Sequence, residues 1–74
     1  MDIETLIKLI AKALEVSETE VSIDTESSDI EAWDSLGHIQ VMMEIQNHFG
    51  EGYVENPDLA AATSVSDIFE IVKT

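Results

Sequence analysis

The stretch from Trp33 to Phe49, WDSLGHIQVMMEIQNHF, decides the fold. Its apolar residues recur at the spacing of an α-helix and Gly50 and Gly52 follow it, so we predict a helix from about Ser35 to Phe49. These apolar residues cover a wide arc, which predicts that this is the most buried helix of the protein. One stripe remains outside the arc, and it holds Gly37, Gln40, Glu44, Asn47 and His48.

Helices are also predicted on both sides of this stretch. An apolar arc that begins after a capping residue, Asp2, predicts a first helix over about residues 2–15. Asn56-Pro57 predicts a short helix over 57–62, and Ser64 with the three residues after it begins the last helix. No segment has the sustained alternation of a strand. The fold class is therefore a small all-α bundle of three main helices plus one short helix, in a single domain over residues 1–74.

The connection between the first helix and the central one, about residues 16–34, is long and acidic. Eight of the 16 acidic residues lie between Glu15 and Asp34. The capping-box pattern at residues 17–20 predicts one short helical turn. Spaced apolar residues predict that the loop is pinned across the bundle: Val16, Val21, Ile23, Ile30 and Trp33.

Composition excludes several classes of partner. The chain has 74 residues and a formal net charge of −13, with 16 acidic and 3 basic residues. It therefore lacks the cations that bind phosphates, which excludes nucleic acid and disfavours an anionic membrane surface. The same field favours proteins with basic surfaces. Cysteine, a long apolar run and a signal-peptide pattern are all missing, so we expect a cytoplasmic monomer.

Ser35 lies where the acidic loop meets the central helix. The N-terminus of a helix has unpaired N–H groups and a positive dipole end, which favour an anion. A serine in this place can cap the helix or carry a phosphate, and its position alone favours the cap. Asp34 can instead be the cap, which would leave Ser35 exposed in the first turn.

The segment Asp34-Ser35-Leu36, followed by an aliphatic helix that ends in Phe49, resembles the acyl carrier protein family. The resemblance extends over nearly the whole chain, through the first helix, the acidic loop, the short Asn-Pro helix and the closing helix. It implies that Ser35 is esterified by 4′-phosphopantetheine, which a separate phosphopantetheinyl transferase takes from coenzyme A. The thiol of this arm would then carry acyl groups as thioesters.

The resemblance also implies roles for the neighbouring residues. Asp34 is the motif acid beside the attachment site, and Leu36 is the apolar anchor that partner enzymes touch. Besides the transferase, the implied partners are acyl-transferring or acyl-activating enzymes with basic surfaces, in fatty-acid, polyketide or related biosynthesis. The chain would thus be a carrier and not an enzyme. The expected partner surface continues from Leu36 to Trp33, Ile39, Gln40 and Glu44.

Two other interpretations stay open. An aminoacyl or peptidyl carrier would use Ser35 in the same way. An acidic helical interaction module would keep the fold without modification, and Trp33, Leu36 and the central helix would form its docking face. An enzyme is disfavoured, because no Ser/His/Asp set, glycine-rich phosphate loop or metal cluster is visible in the sequence. Glu44 is the only acid between Ser35 and Phe49, which is compatible with a dedicated carrier for one pathway and equally with lineage variation that leaves the partners unchanged.

The remaining conspicuous residues have simpler interpretations. His38 and His48 lie ten positions apart without an obvious third ligand, so we predict solvated side chains and no metal site. Met42 and Met43 are predicted to fill the core. Trp33 is predicted to anchor the loop, with a partner contact as the alternative.

Overall fold

The computed structural model describes residues 2–50 and 56–72. Four α-helices follow one another: α1 (Ile3–Leu14), α2 (Ser35–Phe49), α3 (Pro57–Ala61) and α4 (Val65–Val72). Within the described ranges, the β-type pairing is limited to one antiparallel bridge, between Glu26 and Ser64. The predicted all-α bundle of three main helices and one short helix is therefore confirmed.

Capping residues set the helix boundaries close to where the sequence places them. Asp2 accepts a hydrogen bond from the backbone N–H of Thr5 at 2.8 Å, and this bond holds the pKa of the Asp2 carboxyl below its ordinary value. Asn56 accepts from the backbone N–H groups of Asp58 and Leu59 and so begins α3. These bonds satisfy donors that a helix start otherwise leaves unpaired.

The end of α2 also agrees with the prediction. Gly50 follows the helix at φ 112, a conformation that residues with a side chain rarely adopt, and its N–H donates to the Gln46 carbonyl at 2.7 Å. The second glycine of the predicted stop signal, Gly52, lies outside the described residues. Among the helices that the structure describes, none is long and apolar enough to cross a membrane.

The long loop is ordered by two 3₁₀ turns, Glu18–Glu20 and Ser27–Asp29. The first has the predicted capping box, since Ser17 Oγ accepts from the Thr19 N–H and the Glu20 carboxylate accepts from the Ser17 N–H. The second turn was not predicted, and in it Asp29 accepts from the Glu26 N–H at 2.9 Å. In these turns, side-chain oxygens accept hydrogen bonds from backbone N–H groups that would bond to backbone carbonyls in a regular helix.

Two backbone hydrogen bonds fasten this loop to the connection between α3 and α4. The Ser27 N–H donates to the Thr63 carbonyl at 2.7 Å, and the Val65 N–H donates to the Thr25 carbonyl at 2.9 Å. The predicted pinning by apolar side chains is correct for most of the set: Val21 and Trp33 are buried, Val16 and Ile30 are half-buried, and Ile23 is exposed.

The core lies between α1, α2 and α4, with Leu59 of α3 added to it. The prediction that α2 is the most buried helix is wrong. Four of its residues are buried, whereas its other large apolar residues are exposed, because α1 and α3 pack on only part of its circumference. The exposed ones are Leu36, Ile39, Met43 and Phe49.

Candidate functional site

Ser35 is the first residue of α2 and is exposed. The cap is Asp34, whose Oδ1 accepts a hydrogen bond from the Gly37 N–H at 2.8 Å. The favoured prediction that Ser35 caps the helix is therefore wrong, and the alternative, with Asp34 as the cap, is confirmed. No described residue hydrogen-bonds the Ser35 hydroxyl.

The chain around Ser35 is folded by short-range backbone bonds. The Trp33 N–H donates to the Ile30 carbonyl at 3.0 Å and closes a turn just before the helix. The His38 N–H donates to the Asp34 carbonyl at 2.8 Å, which is the first hydrogen bond of the helix. Because the N–H groups of the first turn have no intrahelical acceptor, Ser35 lies at the positive end of the α2 dipole.

Gly37 allows the loop to pass close to the start of α2. It is buried, although it lies in the stripe outside the apolar arc of α2. A Cβ atom at this position would overlap the backbone carbonyl oxygen of Ala32 and would also press on the Leu14 side chain. The close approach therefore requires a residue without a side chain.

Trp33 is 4% exposed, so it is the loop anchor that the sequence predicts, and little of its surface is left for a partner. Its indole Nε1–H donates to Nδ1 of His38 at 2.9 Å, and the two rings lie side by side in nearly parallel planes, at an interplanar angle of 19°. Nε2 of His38 lies 2.8 Å from the carbonyl oxygen of Leu59. The prediction that His38 is solvated is wrong, since both of its nitrogens are occupied by protein groups.

The other histidine lies in the last turn of α2, apart from His38 and its partners. His48 is exposed and makes an edge contact with the ring of Phe49. Across residues 2–50 and 56–72, no group of three or more His, Asp or Glu side chains is placed to hold a metal ion.

An open groove of about 470 Å³ begins at Ser35 and runs between α2 and α3. Apolar groups make up much of its wall. The groove is lined by Ser27, Trp33, Asp34, Ser35, His38, Ile39, Met42 and Ala60 to Thr63.

An exposed apolar stripe runs along α2 from the same end. It consists of Leu36, Ile39 and Met43, which are 67%, 45% and 45% exposed and follow one another at helical spacing. We call these three residues the α2 stripe. The prediction of a core role is correct for Met42 and wrong for Met43.

Gln40 and Glu44 lie near the stripe, and the charge of Glu44 is paired with a lysine. Gln40 is exposed, whereas Glu44 is half-buried, with a carboxylate oxygen 3.5 Å from Nζ of Lys12 on α1. The lysine compensates the only carboxylate of α2. By contrast, all eight acidic residues from Glu15 to Asp34 are exposed, and no basic residue occurs among them.

Comparison with known proteins finds no matching family model, no matching curated protein and no matching solved structure. A function for this chain must therefore be inferred from the residues around Ser35 and from their chemistry.

Proposed function

We propose that this chain is an acyl carrier protein and that Ser35 is its attachment site for 4′-phosphopantetheine. The observation that carries the proposal is the arrangement at the start of α2. Asp34 takes over the capping bond to Gly37, so the Ser35 hydroxyl is exposed and is not used by the fold. The Asp-Ser-Leu segment opens the helix in the register that the family resemblance implies.

The residues at the start of α2 fit a phosphate ester. In the modification, Ser35 Oγ would form a bond to the phosphorus that bears the pantetheine arm, while the pyrophosphate bond of coenzyme A breaks and the nucleotide half leaves with the electron pair. The serine proton would pass to a base of the separate transferase. The ester that results carries negative charge, which the N–H groups and the dipole of the helix start stabilise.

When bound, the prosthetic group supplies the thiol that a chain without cysteine lacks, and that thiol holds the cargo as a thioester. The groove from Ser35 between α2 and α3 has apolar walls beside Ile39 and Met42, which suit a short apolar cargo. A tethered cargo reaches the active sites of partners at high effective concentration without tight protein binding. Delivery of a tethered cargo without tight binding is typical of a carrier that acts in the cytoplasm with several enzymes in turn.

The proposal is tested by measuring whether the mass of the protein increases on modification. The protein is incubated with coenzyme A, magnesium and a broad-specificity phosphopantetheinyl transferase, and the intact mass is recorded. We expect the wild type and Ser66→Ala to gain one phosphopantetheine, and Ser35→Ala to gain none. Ser66 is the matched control because it is also an exposed serine in the first turn of a helix. No gain by the folded wild type with several transferases would refute the proposal.

The α2 stripe favours a second candidate function, an acidic interaction module that is never modified. Leu36, at 67% exposure, is a large apolar side chain in water, and such side chains in a row are typical of docking surfaces. The same mass experiment separates the two functions, since a module would leave Ser35 unmodified. If the gain in mass occurs, the aminoacyl or peptidyl variant is tested next by asking which acyl-activating enzymes load the arm.

A further inference from the structure

The side chain of His38 joins three parts of the protein that are separate in the sequence. It accepts from the Trp33 indole of the loop, it belongs to the second turn of α2, and it reaches the Leu59 carbonyl of α3. We call this set, the Trp33 indole, the His38 imidazole and the Leu59 carbonyl, the latch. Its indole and imidazole both line the groove that begins at Ser35.

The chemistry of the two partners fixes the protonation state of His38 in the latch. An indole nitrogen can only donate a hydrogen bond, so Nδ1 of His38 must accept with its lone pair. A carbonyl oxygen can only accept, so Nε2 must carry the proton and donate. The latch is therefore complete only with neutral imidazole, protonated at Nε2. A second proton on Nδ1 would face the indole N–H, and two donors cannot share a hydrogen bond.

We propose that His38 is a positioning residue whose protonation opens the latch and loosens α3 from the start of α2, which widens the groove beside Ser35. Histidine is the side chain type whose charge changes between about pH 5 and pH 8, which makes this range the one in which to test the latch. The latch does not depend on the modification of Ser35, whereas its effect on a cargo rests on the proposed function.

Helix α3 is the element that would respond, because it is short and the His38 bond reaches its backbone directly. It has five residues, and Leu59 is the one that is buried. A helix of this length is not stable by itself and depends on its tertiary contacts. The bond from His38 to the Leu59 carbonyl therefore acts together with the buried Leu59 side chain to position α3.

Few other charged groups near His38 would mask the effect of its protonation on the latch. Asp34 is the other ionisable residue that lines the groove, and its carboxylate is engaged by the Gly37 N–H. On α3 the charged residue is Asp58, which is exposed and precedes Leu59. On the far side of α2, Lys12 of α1 is paired with Glu44. The 3₁₀ turn beside the groove contributes Ser27, which is neutral, while its carboxylates, Asp29 and the preceding Glu26, are exposed and do not line the groove.

The latch can be tested on the unmodified protein, by NMR and by fluorescence of Trp33, the only tryptophan. At neutral pH, imidazole nitrogen shifts should identify His38 as the Nε2-protonated tautomer. From pH 8 to pH 5 we expect the Trp33 indole proton, the amide protons of Ala60 and Ala61, and the tryptophan emission to shift together with the titration of His38. Amide protons in the middle of α1 should shift much less.

Variants of the two histidines provide the matched comparison. His48→Gln removes an exposed histidine at the other end of α2 and should keep the whole response. His38→Gln cannot be protonated and should lose it, while circular dichroism reports whether the helices remain. The proposal would be overturned if His38 titrates without shifts at Trp33 and α3, if its neutral form is the Nδ1-protonated tautomer, or if a folded His38→Gln keeps the response. Because no arm is attached in these measurements, they stand apart from the mass experiment on Ser35.

Discussion

The loop before Ser35 and the helix after it differ in both charge and surface. From Glu15 to Asp34 the chain carries eight exposed carboxylates and no lysine, and it is fastened to the bundle by hydrogen bonds. From Ser35 to Phe49 it carries one carboxylate, which is paired with Lys12, and it exposes the α2 stripe. The serine lies at the boundary between the two regions.

For the proposed partners with basic surfaces, this difference separates the two steps of an encounter. Dense exposed charge acts at a distance of up to a Debye length, about 8 Å at physiological salt, and raises the rate of association. Apolar side chains act only on contact and determine how long the complex lasts. The loop is therefore suited to attract a partner and α2 to hold it.

The sharpest test of the contact surface compares two isoleucines of the same helix. Ile45 is fully buried and Ile39 is 45% exposed. Ile45→Ala should lower the free energy of unfolding by about 2–5 kcal/mol, because it leaves a cavity in the core. Ile39→Ala should change it by about 0.5 kcal/mol or less. Urea denaturation measures both, and an equal loss in the two variants would mean that Ile39 belongs to the core and not to a free surface.

A second test concerns the place where the two regions touch. Gly37→Ala should lower the free energy of unfolding by about 1–3 kcal/mol, since the new methyl group would overlap the Ala32 carbonyl oxygen. Helix propensity alone predicts the opposite, a gain of about 1 kcal/mol. The control is Gln40→Ala, an exposed change in the next turn that should have little effect. A Gly37→Ala protein as stable as this control would show that the loop does not lie closely against α2.

The smallest expected effect concerns the charges. The triple variant Glu26→Gln, Asp29→Asn, Glu31→Gln should slow the initial rate of modification by the transferase, by up to about tenfold at low salt. Glu44→Gln should slow it less, because Lys12 already compensates this carboxylate. Asparagine at position 29 keeps an oxygen for the Glu26 N–H, so the 3₁₀ turn is preserved. A larger effect of Glu44→Gln, or a difference that persists at high salt, would contradict steering by the loop.

Most of the fold could be predicted because local chemistry determines it. The boundaries of α2 and the caps at Asp2 and Asn56 follow from residues within one turn of each helix end. The burial of α2 could not be predicted in the same way. Its apolar residues face several directions, and only the positions of α1 and α3 decide that Val41 and Ile45 are covered while Leu36 and Met43 are not.

The candidate site could be predicted as far as Ser35, but its surroundings could not. The sequence left the capping role open between Asp34 and Ser35, and the choice depends on which side chain reaches the Gly37 N–H. The role of His38 depends on Leu59, 21 residues away, which no helical periodicity connects to it. One signal was present, since a buried indole N–H needs an acceptor and His38 is a nearby one.

The bridge between Glu26 and Ser64 has a consequence for the order of folding. Contacts between residues distant in sequence form late, because closing the intervening chain costs entropy before the contact repays it. The hydrogen bonds within helices α1 and α2 are local and can form early. The acidic loop, however, is fixed by the Thr63 carbonyl and the Val65 N–H, which follow α3 in the chain. The loop beside Ser35 thus reaches its final position only after α3 and the start of α4 have been synthesised, so the surroundings of the proposed attachment site are completed later than the helix that carries it.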